Sequence, residues 1–340
     1  MPLTRKAYRA AILHSIADPA VVGIEASYEY FEDGLLVIDN GQISALGHAS
    51  DLLPSLPADI DITHYQDALI TPGLIDTHIH LPQTGMVGAY GEQLLDWLNT
   101  YTFPCESQFA DKAHAEEVAD IFIKELLRNG TTTALVFGSV HPQSVNAFFE
   151  AAEKLDLRMI AGKVMMDRNA PDYLTDTAES GYQESKALIE RWHGKGRLHY
   201  AVTPRFAPTS TPEQLTLAGK LLGEYPDVYL HTHISENLQE IEWVKSLFPE
   251  RKGYLDVYDH YQLLGERSVF AHGVHLCDEE CARLAETGSA VAFCPTSNLF
   301  LGSGLFNLPM AEKHKLNVGL GTDVGAGTSF SLLNTLNEAY

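Results

Sequence analysis

Basic residues are scarce in this chain: 23 lysines and arginines stand against 45 aspartates and glutamates in 340 residues, a formal charge of -22. So anionic a surface repels nucleic-acid phosphates and acidic lipid headgroups, which excludes those partners and leaves a small neutral or weakly charged ligand. Cysteine is scarce as well. Cys105, Cys277, Cys281 and Cys294 form no C-x-x-C pair and are too few for a disulfide framework, which points to a reducing, cytoplasmic setting. Cys277 and Cys281, four apart, are expected to share a helix face as small apolar residues. No apolar run reaches about 18 residues, and "MPLTRKAYRAAILHSIADPA" has an early basic pair without the apolar stretch of a signal peptide. No G-x-G-x-x-G or Walker A sequence follows an early strand, which removes the nucleotide-binding open sheet. Nor is there a P-C-x-x-C. His114-Ala115-Glu116 therefore matches only half of one deaminase zinc signature and, inside an acidic helical stretch, reads as helix surface.

What is present is 45% hydrophobic content, enough for a sizeable core. Residues 1–68, with "YEYFEDGLLVIDNGQISALG", alternate apolar and polar positions around Asp33-Gly34 and Asn40-Gly41, which predicts hairpins and a small N-terminal β-sandwich domain. From residue 69 the texture changes. Eight short apolar segments, "GLIDTHIH", "TTTALVFGSV", "RMIAGKVMMD", "LHYAVTPRFA", "VYLHTHISE", "SVFAHGVHL", "SAVAFCPTSN" and "VGLGTDVGAG", alternate with helical stretches such as "KAHAEEVADIFIKELLRNG" and "TPEQLTLAGKLLGEYP". The pattern predicts an α/β fold, a (β/α)8 TIM-like barrel over residues 69–340, with a doubly wound sheet as the alternative. The last segment, "SFSLLNTLNEAY", is expected to be an eighth helix cut short.

In such a barrel the working groups stand at the carboxyl ends of the strands. Polar residues recur there: His78-x-His80, His231-x-His233-x-x-Glu236, His272-x-x-His275 and Thr322-Asp323. Residues i and i+2 of a strand project to one side, so His78 and His80 can grip one ion, with His233 adding a nitrogen and Asp323 an oxygen. A water at the open position would be acidified towards neutrality. Glu236, where the chain leaves its strand, is the candidate proton shuttle, the bland reading being a helix-capping acid. His272 is either a further ligand or a donor to substrate or water. His231 and His275 are weaker candidates, the first as a ligand, the second as a surface or supporting group.

With "PGLIDTHIH", "HTHISEN", "AHG" and "GLGTD" in this order, the sequence resembles the amidohydrolase superfamily over roughly residues 65–330. The stretches 82–106, 202–208 and 294–304 resemble, within it, the branch that deaminates guanine. The resemblance implies one catalytic Zn2+ per chain on His78, His80, His233 and Asp323, with iron(II) the lesser alternative, and His272 beside it. It implies Glu236, Asp323 and His272 as catalytic residues, and Gln83, Arg205, Phe206 and His272 against a purine substrate. Arg205 suits the O6/N7 acceptors of guanine, or else is a structural ion-pair partner. Hydrolysis to xanthine and ammonia is the implied activity, in a homodimer. Deamination or dechlorination of another heterocycle, such as 8-oxoguanine or a triazine, and a catalytically dead scaffold are the rivals. Relatives run on for about a hundred residues, so the 340-residue chain is expected to be C-terminally incomplete, to expose an apolar face of residues 1–68, and to be unstable when expressed alone.

Overall fold

The computed structural model describes residues 5–89 and 94–340; residues 1–4, and residues 90–93 within the stretch 82–106 quoted above, lie outside the described residues. The chain divides into two compact units, Met1–Gly73 and Leu74–Tyr340. Among the described residues no helix is long and apolar enough to cross a membrane.

The first unit holds one mixed sheet in the order β3-β2-β1-β4, built from β1 (Arg5–Ser15), β2 (Tyr28–Asp39), β3 (Gln42–His48) and β4 (Asp61–Ile70). The hairpin expected at Asn40-Gly41 is there, both residues having positive φ, 52° and 80°. Asp33-Gly34 is not a turn. It lies inside β2, where a missing side chain lets the strand pass Ile12 at a register shift in β1; a Cβ on Gly34 would come within 2.7 Å of Ile12 Cγ1. Ala7, Leu35 and Val37 pack against Ala49 of the short helix Ala49–Leu52, so helical turns rather than a second sheet form the opposing layer. β4 pairs on to Ile70, two residues past the boundary expected at 68.

The second unit runs β5 (Leu74–His80), β6 (Thr131–Phe137), β7 (Arg158–Gly162), β8 (Val164–Met165), β9 (His199–Pro204), β10 (Tyr229–Ile234), β11 (Ser268–His272), β12 (Ala290–Phe293) and β13 (Asn317–Leu320). All eight predicted segments contain a strand, the third being broken at Lys163 into β7 and the two-residue β8. The strands are parallel and ordered β5-β6-β7-β9-β10-β11-β12-β13, with β8 on β9. At the seam the Asp323 N–H donates to the His78 carbonyl at 2.9 Å, and Gly321 lies so close that a Cβ would meet His78 Cβ at 2.8 Å. The sheet thus curls into a barrel rather than staying open.

The helices form for local reasons and bury one face. Lys112–Arg128 is capped by the Asp111 side chain on the Ala113 N–H, turns Ala115, Ala119, Phe122, Ile123 and Leu126 inward, and stops at Asn129-Gly130. His114 and Glu116 lie on this helix, Glu116 exposed beside Lys112, as the surface reading expects. Cys281 is buried on the helix Asp278–Glu286, whereas Cys277 is its exposed N-cap, its carbonyl accepting from the Cys281 N–H, so only Cys281 serves as an apolar core residue.

Glycine at 162, the last residue of β7, is a packing requirement. A Cβ there would collide with the Ala201 carbonyl oxygen and the Thr203 hydroxyl, and a backbone carbonyl cannot swing away. Gly162→Ala should therefore cost about 1–3 kcal/mol, as overpacked cores do. The measurement is the urea midpoint at constant slope; an unchanged midpoint would contradict the packing account.

Candidate metal centre and substrate cavity

β5 turns Asp76, His78 and His80 to one side, all buried. Asp76 fastens the seam: its carboxylate accepts from the Thr322 hydroxyl at 2.5 Å and from the backbone N–H of Thr322 and His78 at 3.0 and 3.2 Å. That positions His78 and Asp323, which come from opposite ends of the barrel sequence. His78 Nε2 and His80 Nε2 each lie 3.2 Å from Asp323 Oδ1 and 3.2 Å from one another, and His233 Nε2 is 3.3 Å from His80 Nε2.

These spacings have a simple meaning. Donor atoms 3.2–3.3 Å apart are close enough to share one ion at ~2.0–2.1 Å. His233 Nδ1 is 2.7 Å from the Arg205 carbonyl, which only accepts, so Nδ1 carries the proton and Nε2 offers a lone pair. Burial pushes the His80 imidazole down to about 3 and the His78 and His233 imidazoles down as well, keeping them neutral. Burial by itself would raise the Asp323 carboxyl, but the adjoining imidazoles of His78, His80 and His272 outweigh it and hold it well below the usual range. Imidazole nitrogens and a carboxylate brought this close together fit a divalent cation. His272 joins His78 and His233 in an overlapping group of the same kind.

Strain gathers here. Ser235, His272 and Asp323 have positive φ values of 47°, 73° and 49° at the ends of three strands, a conformation non-glycine residues hold only where the surroundings impose it.

Glu236 is buried beside this quartet. One carboxylate oxygen accepts from Ser303 Oγ at 3.2 Å, and the other lies 3.4 Å from His272 Nε2. Burial first, then the Asp323 charge, raises its carboxyl to about 8, against the Ser303 hydrogen bond. The capping reading does not hold for it. Glu240 accepts the Glu236 and Asn237 N–H groups and caps the helix Leu238–Leu247 together with Asn237.

A cavity opens over His80, His233, Glu236 and Asp323, and Gln83, Arg205, Phe206, Trp97, Leu98 and Leu301 line the remainder. Gln83 sits in the 3-10 turn Leu81–Met86 that follows β5, and Arg205 and Phe206 follow β9 directly. His78, His80, His233, Asp323, Glu236, His272, Gln83, Arg205 and Phe206, singled out from the sequence, thus meet in one place. His231 does not reach the quartet; its Nε2 is 2.8 Å from His78 Nδ1, behind the ligand. His275 is 2.8 Å from the Ser303 carbonyl and steadies the loop that carries Ser303.

Sequence reasoning passed over four residues. Glu106 binds both Arg205 and Gln83. Phe137, at the end of β6, lies under the imidazoles of His80, His231 and His233, its ring centroid 4.4–4.7 Å from theirs. Asn298 Oδ1 is 2.9 Å from His272 Nδ1, and Ser303 reaches Glu236. The last two lie within the stretch 294–304 named above, "CPTSNLFLGSG", where their polarity beside the apolar residues 299–301 was the available signal. Lys163, buried after β7, is committed to Asp176 at 2.7 Å and Glu184 at 3.1 Å.

A nearly closed parallel barrel with overlapping His/His/His and His/His/Asp groups at its strand ends is the build of a metal-dependent hydrolase class, and the chain belongs to the amidohydrolase family, whose model matches residues 69–340. Among individual proteins it is 61% identical over 317 residues to guanine deaminase of Escherichia coli (strain K12), covering 93% of this chain and 72% of that one. The solved E. coli guanine deaminase superposes with a TM-score of 0.97 at 58% identity, over 98% of this chain and 78% of that one. Guanine deaminase from C. acetobutylicum with bound guanine in the active site superposes with a TM-score of 0.91 at 30% identity, over 98% and 78% of the two chains.

Proposed function

We propose that this protein hydrolyses guanine to xanthine and ammonia, with one Zn2+ per chain held by His78, His80, His233 and Asp323. The observation that carries the reading is that one cavity gathers His80, His233 and Asp323, closely spaced with His78, together with Glu236, Phe206, Arg205 and Gln83. The 61% identity to a guanine deaminase supports the choice of base. The bound ion supplies Lewis acidity that makes water a nucleophile near neutral pH.

The chain's own residues do the remainder. Arg205 directs its guanidinium at the acceptor edge of the purine, Phe206 offers its ring, and Gln83 reads a further edge. Water oxygen adds to C2 as Glu236, assisted by Asp323, takes a water proton and passes it to ring N3. The second proton, from the new hydroxyl, goes through Glu236 to the amino group. The C2–N bond then breaks, ammonia leaves, and the C2 carbonyl of xanthine remains. A carboxyl poised near neutrality suits both halves of this transfer. His272, held by Asn298, orients the attacking water or the substrate. The setting is cytoplasmic and the assembly a homodimer on this reading.

Metal-replete protein incubated with guanine should release xanthine and ammonia in equal amounts, followed by the loss of guanine absorbance. Turnover of a triazine or 8-oxoguanine in preference to guanine would overturn the assignment of substrate.

A further inference from the structure

We propose that Glu106 is a specificity-determining positioning residue: it locks the Arg205 guanidinium and the Gln83 amide into one fixed pattern of donors and acceptors facing the purine. The inference rests on the guanine reading above and adds to it what holds the recognition groups. Glu106 is fully buried and does not line the cavity. Its two oxygens accept from Arg205 Nη1 at 3.0 and 2.7 Å, and one of them also accepts from Gln83 Nε2 at 3.2 Å. The two side chains assigned to reading the base therefore share a single anchor.

The consequences differ for the two. Arg205 commits Nη1 to Glu106 and lays its guanidinium 5.5 Å over the Phe103 ring, which stands on the same helix, Phe103–Ser107. The fork is thereby fixed in plane and rotation, with Nη2 and Nε left to a ligand. Gln83 can present either end of its amide, and the two ends mean opposite things to a base. A carboxylate paired with a guanidinium only accepts, so the Gln83 amine must face Glu106 and its carbonyl oxygen must face the other way. Gly325 receives that oxygen: its φ is 125°, and a Cβ there would collide with Gln83 Oε1. Arginine donors and an oriented glutamine together discriminate a 6-oxo purine from one with an amino group at that position.

The test uses metal-loaded Glu106→Gln, with guanine and 2,6-diaminopurine, in which an amino donor replaces the 6-oxo acceptor. kcat/KM for guanine should fall about 10²-fold, as when a buried charge pair loses one partner. Most of the loss should lie in KM, the guanine to 2,6-diaminopurine ratio should narrow at least about tenfold, and metal content should stay at the wild-type level. Unchanged KM and ratio would overturn the proposal. If Glu106→Gln does not fold, Glu106→Asp withdraws the same carboxylate by one methylene; a raised KM with a reduced ratio supports the role, and wild-type values overturn it. Wild-type protein that leaves guanine untouched removes the guanine reading and this inference together, whereas active wild type with an indifferent Glu106→Gln removes this inference alone.

Discussion

Glu236→Gln keeps its metal and loses guanine turnover, with kcat expected to fall by about 10³-fold, within the range that positioned acid–base groups contribute. The substitution is nearly isosteric, so the Ser303 hydroxyl keeps an acceptor at 3.2 Å and the packing is preserved. What disappears is a group that gains and loses a proton near neutral pH, a property that burial and the Asp323 charge confer on this carboxyl. The fold is insulated from the change because the adjoining helix is capped by Asn237 and Glu240. Steady-state kinetics with metal analysis on one preparation decides the matter. Activity within a few-fold of wild type would remove the shuttle role, and loss of metal would mean that Glu236 is a ligand.

Removing the metal should have the larger effect. Chelation, or His80→Ala, is expected to lower turnover by at least about 10³-fold, since Lewis acidity and the neutral-pH nucleophile go together. Stability should fall at the same time. An ion at a thousand times its dissociation constant stabilises the folded state by about 4 kcal/mol, and the quartet draws together β5, β10 and the segment after β13, which lie far apart in sequence. Thermal melts with and without added Zn2+ should separate for wild type and coincide for His80→Ala. Full activity of exhaustively chelated protein would contradict the metal assignment. Recovery on adding Zn2+ back, compared with iron(II), identifies the ion that works.

The clustering of His78, His80, His233 and Asp323 was legible because its signals are local. His78-x-His80 is a period-two pattern at the end of an apolar run, and His233, Glu236 and Asp323 stand at equivalent ends of later runs; the barrel needs only parallel strands of similar length to bring those ends together. The eight strand segments were readable for the same reason, each a short apolar run bounded by polar residues. Misreadings arose where one local pattern has two structural uses. Asp33-Gly34 has turn chemistry, yet Gly34 serves close passage of Ile12 inside a strand. Cys277 and Cys281 have helical spacing, yet the helix starts between them.

By itself the sequence determined the chemistry available to this protein: an acidic chain, an α/β barrel, and ligand-type residues at its strand ends. Tertiary structure alone decided how those groups are held. Glu106 meets Arg205 across 99 residues, and His231 stands behind His78 across 153. Phe137, Asn298 and Ser303 act on the site from three further positions along the chain. A support of this kind leaves no periodic trace, because only one residue of each pair lies in the strand pattern and the distance between them is set by barrel closure. The candidate groups follow from strand periodicity; their orientation depends on contacts that exist only once the seam between His78 and Asp323 has formed.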